Sequence, residues 1–229
     1  MPRQRKIIIG TFLTLIIILG LFSAFMMYKA LTNSTGVTTG ALDASDAKPA
    51  STDINGQWNV VRGSSPNVSS VGFQFYEILP GEDKVTAGTT SDVSGEVVVA
   101  DDALQYVQVT ANMETIETDN QNRDVNIRRK LLHTEEYPEA FYESHDAVNL
   151  SSIPDDGSVG EVEVTGDLTV HGVTQAVTTT FQAVRDGDSV ILSTTIPVNR
   201  LDYDIETPEF IAAKIAEEGE INVLLTLRK

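Results

Sequence analysis

The sequence predicts an all-β domain, an antiparallel barrel or sandwich with one or two short helices, preceded by an N-terminal transmembrane helix. Three observations predict this fold class. Residues 7–28 form an apolar run without a charge. From residue 57 onward, short segments alternate apolar and polar residues, which is the period of a half-buried strand. Turn-forming pairs such as His171-Gly172 and Asp186-Gly187 separate these segments, as hairpins require.

The apolar run 7–28 is long enough to be a membrane anchor. As a helix it would measure about 33 Å, which spans the hydrocarbon core of a bilayer. A cleaved signal peptide is the alternative, but its apolar core is usually about 7–15 residues long and ends at a small-residue cleavage site. Residues 1–6 are basic and we expect them to stay in the cytoplasm. The sequence therefore predicts a single-pass protein of the cell membrane whose C-terminal domain is extracytoplasmic.

A flexible tether is predicted to follow the anchor, over residues 29–56. This stretch is rich in Thr, Ser, Ala, Gly and Asp and has few large apolar residues. Such a composition cannot bury enough apolar surface to order a chain by itself.

The charge distribution excludes one class of partner. The formal net charge is −17, and no acidic residue occurs before Asp43. A domain this acidic repels phosphate backbones, so the sequence predicts no nucleic-acid partner. The absence of cysteine excludes disulfides, thiolate metal sites and cysteine nucleophiles.

Strand-like alternation recurs along the domain 57–229. It is clearest at 161–170, where valine, glycine and leucine occupy one face and charged residues and threonine the other. Strands are predicted at 57–61, 70–78, 93–99, 107–113, 140–149, 161–170, 173–184, 189–197 and 221–227. Two segments break the pattern, and we expect short helices there, at 119–134 and at 209–218 after Pro208.

No catalytic signature is present. The sequence contains no G-x-S-x-G, H-E-x-x-H or phosphate-loop motif. Its three histidines, His133, His145 and His171, lie in different segments without metal-ligand spacing. The sequence therefore predicts no catalytic residue, no metal, no cofactor and no enzymatic activity.

Four stretches in a fixed order carry a family resemblance. They are RDVNIRRKLLHTEEYPEAFYES at 123–144, VTGDLTVHGVTQAVTTTFQA at 164–183, IPVNRLDYDI at 196–205 and EINVLLTL at 220–227. Together with SVGFQFYEIL at 70–79, they resemble the YceI-like family of lipid-binding, lipocalin-like domains. The resemblance covers Trp58 to Leu227. Two places depart from the family pattern: 84–92 lacks aromatic residues, and 208–219 is long and acidic.

The resemblance implies an eight-stranded antiparallel lipocalin-like barrel with a long apolar interior. Members of the family hold a polyisoprenoid or a similar long-chain lipid there, and we expect such a molecule as partner. An eight-stranded barrel has room for one small or elongated ligand, so barrel geometry agrees with this expectation. The anchored form of the family would add the membrane as a second partner, through the N-terminal helix, and a homodimer is an open alternative to a monomer.

Candidate ligand-lining residues are the apolar side chains on the predicted inner faces. They are Phe73, Phe75, Val107, Val109, Phe141, Val162, Val164, Leu168 and Phe181. Packing in a ligand-free core is the alternative for each of them. Four further residues are candidate contacts at the barrel mouth: Arg123, Asp124, Tyr137 and His171. Their alternatives are structural, as a local ion pair or helix cap, a strand entry and a turn residue.

Two functions of different classes remain open. The first is a membrane-tethered, extracytoplasmic protein that binds a lipid without covalent chemistry. The second is a cell-envelope interaction or adhesion module, whose barrel would be filled by side chains and would hold no ligand. An interior cavity of a few hundred Å³ separates the two.

Overall fold

The computed structural model describes residues 18–19, 22–23, 36–79, 82–207 and 214–229. Of the predicted transmembrane helix 7–28, it describes Ile18, Leu19, Phe22 and Ser23, all helical. The remainder of that helix and the basic tip 1–6 lie outside the described residues. Within the described ranges, no helix combines the length and apolar character needed to cross a bilayer.

In the ranges that the structure describes, thirteen strands make up most of the domain. They are β1 (Gly56–Val61), β2 (Gly63–Ser64), β3 (Asn67–Val68), β4 (Ser70–Leu79), β5 (Glu82–Thr90), β6 (Val93–Ala100), β7 (Ala103–Asn112), β8 (Glu139–Ser144), β9 (Val148–Asn149), β10 (Val159–Val170), β11 (Val173–Asp186), β12 (Ser189–Asn199) and β13 (Lys214–Arg228). Helix α1 (Gln121–Asn126) continues as a π-helical turn, Ile127–Leu131. Two 3₁₀ turns lie at Met113–Thr115 and Arg200–Tyr203.

Eight strands close into an antiparallel barrel, as the resemblance implied. The strand order is β1-β6-β7-β8-β10-β11-β12-β13, and β13 pairs back to β1 through Val60 and Leu227. Strand β13 is long enough to pair with two different strands along one edge. Its C-terminal end pairs with β1, and its N-terminal part pairs with β4, which forms a hairpin with β5. Closure satisfies the backbone hydrogen bonds that an open sheet edge would leave exposed.

The helical connection 113–138 lies beside strand β5. Thr89 of β5 and Glu117 exchange two backbone hydrogen bonds of 2.9 Å, and Met113 N–H donates to the Pro138 carbonyl at 2.8 Å. At this end of the barrel, the connection between β7 and β8 therefore takes the place that a further strand would occupy. Helix α1 and its π-helical turn sit in this connection and confirm the helix predicted at 119–134.

The second predicted helix, at 209–218, is wrong where the structure describes it. Residues 208–213 lie outside the described residues, and 214–218 belong to strand β13. The pairing of β13 with β4 shifts register between Ile215 and Gly219. Of the apolar residues whose spacing predicted this helix, Ile215 is the one that the structure describes, and it pairs with Glu77 of β4.

Strand β5 has no counterpart among the predicted strands, and the predicted strand 140–149 is two strands. Strand β5 reads EDKVTAGTT, in which polar and small residues hide the alternation. In the second case, β8 ends at Ser144 and β9 begins at Val148. The remaining predicted strands are found with end shifts of a few residues.

Residues 36–55 pack on the outside of the barrel, where composition predicted part of a flexible tether. Leu42, Ala44 and Ala47 cover an outward-facing apolar cluster of Val184, Ile191 and Leu224, which are 0%, 4% and 1% exposed. Backbone hydrogen bonds fix the same segment further along. Ala50 N–H donates to the Asp155 carbonyl at 2.7 Å, and Ser51 N–H donates to the Gly187 carbonyl at 2.8 Å. We call residues 36–55 the outer strap.

Candidate functional site

The barrel encloses an apolar cavity of about 560 Å³. This volume lies within the range of small-molecule binding sites in proteins. The wall is formed by side chains of the barrel strands, of β4, of the helical connection and of the segment after β12. Its apolar members are Val71, Phe73, Phe75, Val97, Val107, Val109, Ala111, Met113, Ile116, Ile127, Leu131, Leu132, Ala140, Phe141, Leu168, Val170, Phe181, Leu192, Ile196, Val198, Ile205, Ile215, Ile221, Val223 and Leu225.

Strict alternation along β10 explains how one strand builds both the wall and the solvent face. From Val159 to Val170, burial changes at nearly every residue, and the charged residues Glu161, Glu163 and Asp167 all face outward. The inward set includes Leu168 and Val170, which line the cavity. This is the face that the sequence pattern predicted.

Three aromatic rings of the wall each lie against a glycine on a neighbouring strand. Phe73 packs on Gly88 and Phe75 on Gly219, because these glycines have no Cβ that would meet the rings. Tyr142 lies in the same way over Gly166. Glycine in a strand thus makes room for a large side chain of the adjacent strand.

Apolar side chains close one end of the barrel. Trp58 is 2% exposed, and its indole N–H donates to the Ile54 carbonyl at 2.8 Å. Above Trp58 lies a second, smaller hollow of about 70 Å³, whose lining is entirely apolar and includes Leu150 and Ile153.

Polar residues border the cavity on the helical connection and on the segment after β12. The connection contributes Asn120, Arg123, Asn126 and Lys130. Arg123 forms an ion pair with Asp119 within its own helical turn. We call these four residues the polar rim.

Arg200 and Thr207, which lie on the segment after β12, also border the cavity. Arg200 is buried and donates to the carbonyls of Ile205 at 2.6 Å and Ala216 at 3.2 Å. Its guanidinium therefore ties the 3₁₀ turn after β12 to the start of β13.

Seven of the nine predicted lining residues border the cavity: Phe73, Phe75, Val107, Val109, Phe141, Leu168 and Phe181. Val162 and Val164 line the smaller hollow instead. The structure thus brings the nine residues together inside one barrel, and their contact with a ligand stays a prediction.

The four residues predicted as contacts at the barrel mouth have different surroundings. Arg123 borders the cavity. Asp124 is 7% exposed and accepts hydrogen bonds from the Thr118 N–H at 2.7 Å and the Thr118 hydroxyl at 2.6 Å. Its contacts are therefore those of a structural residue that holds α1 against the preceding loop.

Tyr137 and His171 contact each other, and neither borders the cavity. Their ring centroids are 4.8 Å apart in an edge-to-face arrangement. His171 Nδ1 lies 3.1 Å from the Tyr203 carbonyl oxygen, which can only accept, so this nitrogen donates. His171 has φ = +52° in the turn between β10 and β11, as the turn interpretation expected.

Tyr142 is a wall residue that sequence analysis missed. Its register opposite Leu168 and Val109 places it on the inner face of β8. No described group hydrogen-bonds its buried hydroxyl. Burial, followed by the charges of Asp146 and Asp167, raises the pKa of Tyr142 to about 12. Strand alternation would have found Tyr142, because it shares one face of β8 with Ala140.

The described side chains form no cluster of three or more histidine and carboxylate groups that could hold a metal. The cavity's chemistry is that of an apolar chamber with a polar rim. An eight-stranded antiparallel barrel around such a chamber defines the lipocalin-like class of barrels, which can enclose one elongated apolar ligand.

Comparison with known proteins gives the family. The YceI-like domain model matches residues 64–227, and the chain belongs to this family. Protein YceI of Escherichia coli O157:H7 is 34% identical over 104 residues, which are 44% of this chain and 50% of that protein. A UPF0312 protein of Enterobacter sp. (strain 638) is 29% identical over 104 residues, with the same coverage. The chain thus matches about half the length of these curated relatives.

Two solved structures share the fold. BcnA of Burkholderia cenocepacia has a TM-score of 0.55 and 20% identity, covering 69% of this chain and 95% of that one. A domain of Saccharophagus degradans, described as a polyisoprenoid binding domain implicated in plant cell wall breakdown, has a TM-score of 0.53 and 15% identity. That match covers 70% of this chain and 97% of the other.

Proposed function

We propose that this chain is a non-enzymatic lipid-binding protein that holds a polyisoprenoid or a similar long-chain amphiphile in its barrel. The observation that carries the proposal is the apolar cavity of about 560 Å³. Membership of the YceI-like family and the polyisoprenoid-binding description of the Saccharophagus neighbour support the choice of lipid.

The hydrophobic effect alone can supply the binding energy. Removing one isoprene unit from water contributes about 2–3 kcal/mol at roughly 25 cal/mol per Å² of apolar surface. A few such units suffice for tight binding without polar recognition of the tail. The amides and cations of the polar rim lie where the head group of an amphiphile would emerge, so they can bind it without desolvating a charge deep in the wall.

The cavity also argues against the alternative of an adhesion module with a filled barrel. That alternative requires side chains to fill the interior to the density of a protein core. A hollow of about 560 Å³ does not meet this requirement.

Two measurements test lipid binding. The full chain, purified in mild detergent from its own membranes, is expected to release an apolar molecule that mass spectrometry of an organic extract identifies. The delipidated chain is expected to bind farnesol or geranylgeraniol saturably, followed by displacement of the fluorescent probe N-phenylnaphthylamine. If no apolar molecule co-purifies and the delipidated chain shows no saturable binding, the proposal is overturned.

A matched pair of substitutions locates the binding. Ala140 borders the cavity, whereas Ala176 is exposed on the outer face of β11. Ala140→Phe should weaken binding at least tenfold because the ring occupies ligand volume, and Ala176→Phe should leave the Kd unchanged. Equal effects of the two substitutions would contradict binding inside the barrel.

We further propose that residues 7–28 anchor the protein in the cell membrane, with the barrel on the extracytoplasmic side. The charge-free apolar run and the basic residues before it support this placement. The anchor would keep the cavity near a source of lipid and so raise the effective ligand concentration. The protein should remain in the membrane pellet after alkaline carbonate extraction, and external protease should digest the barrel of intact spheroplasts. Release by carbonate, or full protection from protease, would contradict the placement.

A further inference from the structure

The main cavity and the smaller hollow are separated by a thin layer of side chains. Four residues line both spaces: Val97, Val107, Phe181 and Leu192. A residue that borders two hollows stands between them, so these four side chains form a partition across the barrel interior.

The positions of the four residues in the strand order show that the partition crosses the full width of the barrel. Val97 on β6 and Val107 on β7 are directly paired. Phe181 and Leu192 lie on the adjacent strands β11 and β12. In the eight-stranded ring, this second pair of strands stands opposite the first. The side chains therefore meet from opposite walls.

Phe181 is the member of the partition whose removal would open it most. It has the largest side chain of the four, and it is less completely buried than Val97 and Val107. Its ring centroid lies 6.0 Å from that of Tyr142, which borders the main cavity. The ring of Phe181 thus forms part of the floor on which the end of a bound chain would rest.

Below the partition, the smaller hollow offers only apolar contacts. With about 70 Å³ it is too small for a lipid of its own, and the buried Trp58 forms part of its lining. A chain end that entered it would replace empty space with dispersion contacts at no cost in buried polar groups. Phe181 thus blocks a favourable extension of the main cavity.

We propose that Phe181 is a specificity-determining residue that sets the longest apolar chain the barrel accepts. This inference rests on the proposed lipid-binding function and adds to it the feature that selects chain length. Replacing the ring by a smaller side chain joins the two hollows and makes room for a longer tail, whereas a larger ring raises the floor and shortens the accepted tail.

The test is a chain-length series measured on the full-length protein. Geraniol, farnesol, geranylgeraniol and geranylfarnesol differ from one to the next by one isoprene unit, and each displaces N-phenylnaphthylamine if it binds. In the unaltered protein, affinity should rise with length and then level off. In Phe181→Ala, affinity should continue to rise beyond the length at which the unaltered protein levels off. The next longer alcohol should bind this variant about tenfold more tightly than the alcohol one isoprene unit shorter, because two further methylene-sized groups are buried. In Phe181→Trp, affinity should level off at a shorter alcohol.

Phe73→Ala is the matched control, because Phe73 borders the main cavity but not the smaller hollow. It should leave the length at which affinity levels off unchanged. Failure of the unaltered protein to bind any of the alcohols would defeat the proposed function itself. If the unaltered protein binds them, an identical length dependence in Phe181→Ala, or an equal shift in Phe73→Ala, would overturn the role of Phe181. Circular dichroism checks folding, and Phe181→Leu replaces Phe181→Ala if the alanine variant does not fold.

Discussion

The ring of Tyr142 lies over Gly166 so closely that a Cβ at position 166 would stand 2.7 Å from its Cζ atom and 2.8 Å from its hydroxyl oxygen. The tyrosine belongs to β8 and the glycine to β10, which pair directly. The ring therefore occupies the space that a side chain at position 166 would take. The shape of the cavity wall at this point depends on the absence of that side chain.

Gly166→Ala should destabilise the protein. The added methyl group meets the Tyr142 ring and the Glu143 carbonyl oxygen, both at 2.7 Å, so the ring must leave its position. Overpacking of this kind costs about 1–3 kcal/mol in the free energy of unfolding. Urea denaturation of the variant and the unaltered protein measures the difference.

A double-mutant cycle tests whether the ring is the cause. In a Tyr142→Leu background, the shorter side chain can yield, and part of the cost of Gly166→Ala should disappear. The same cost in both backgrounds would assign the whole effect to the Glu143 carbonyl.

Tyr142 should make the stability of the protein decrease at alkaline pH. Its hydroxyl is buried, and its pKa is raised from 10.0 to about 12, so the folded state keeps the neutral form where the unfolded state ionises. The contribution of Tyr142 is complete below pH 10 and is lost as the pH rises toward 12, by roughly 2–3 kcal/mol. Chemical denaturation at a series of pH values from neutral to alkaline measures this slope.

Tyr142→Phe is the control for this pH dependence. Removing a buried hydroxyl without a partner should leave stability at neutral pH unchanged or slightly higher. The variant should lose less stability than the unaltered protein between pH 10 and 12. Parallel curves for the two proteins would show that other groups cause the alkaline loss.

The alternation of the central strands was sufficient to predict an antiparallel barrel or sandwich, and the family resemblance added the eight-stranded barrel. In β10 nearly every second residue is buried, and the inward residues are those the pattern named. Six of the nine predicted lining residues border the cavity for the same reason, since a period of two assigns each side chain to a face before any pairing is known. Phe141 borders the cavity although its neighbour Tyr142 occupies the inner face of β8. Pairing between strands then brings these faces together.

The errors arise where local pattern and tertiary structure disagree. Residues 214–218 have apolar residues at helical spacing in their local window, but they belong to β13, which pairs with β4 and β12. In the outer strap, Leu42 lies among small polar residues that would not order by themselves. The cluster of Val184, Ile191 and Leu224 that it covers comes from distant parts of the chain, and no local window of sequence contains both.

Leu42→Ala should measure how strongly the outer strap contributes to stability. Leu42 is half-buried on the outer cluster, so losing its branched end should cost about 1–2 kcal/mol in the free energy of unfolding. Val37→Ala is the matched control, because Val37 is 43% exposed in the same segment and should change stability by less than about 0.5 kcal/mol. Urea denaturation of both variants gives the comparison. Equal small effects would mean that the strap adds little to the barrel.

Asp124 should hold the helical connection in place beside the cavity. Its Oδ1 atom accepts both the N–H and the hydroxyl of Thr118, and all three groups are in the protein interior. Asp124→Ala leaves two buried donors without an acceptor, which should cost about 1–3 kcal/mol. Asp124→Asn keeps a carbonyl oxygen at this position and should cost less.

Hydrogen exchange tells a local effect of Asp124 from a global one. If the carboxylate anchors α1, exchange should accelerate in residues 118–131 of Asp124→Ala while the strands β10 to β12 keep their protection, because the connection opens without unfolding the barrel. Asn122→Ala serves as control, since Asn122 is exposed on the same helix and its loss should leave exchange unchanged. Uniform acceleration across the barrel strands would instead mean that the Thr118–Asp124 contact supports the whole fold.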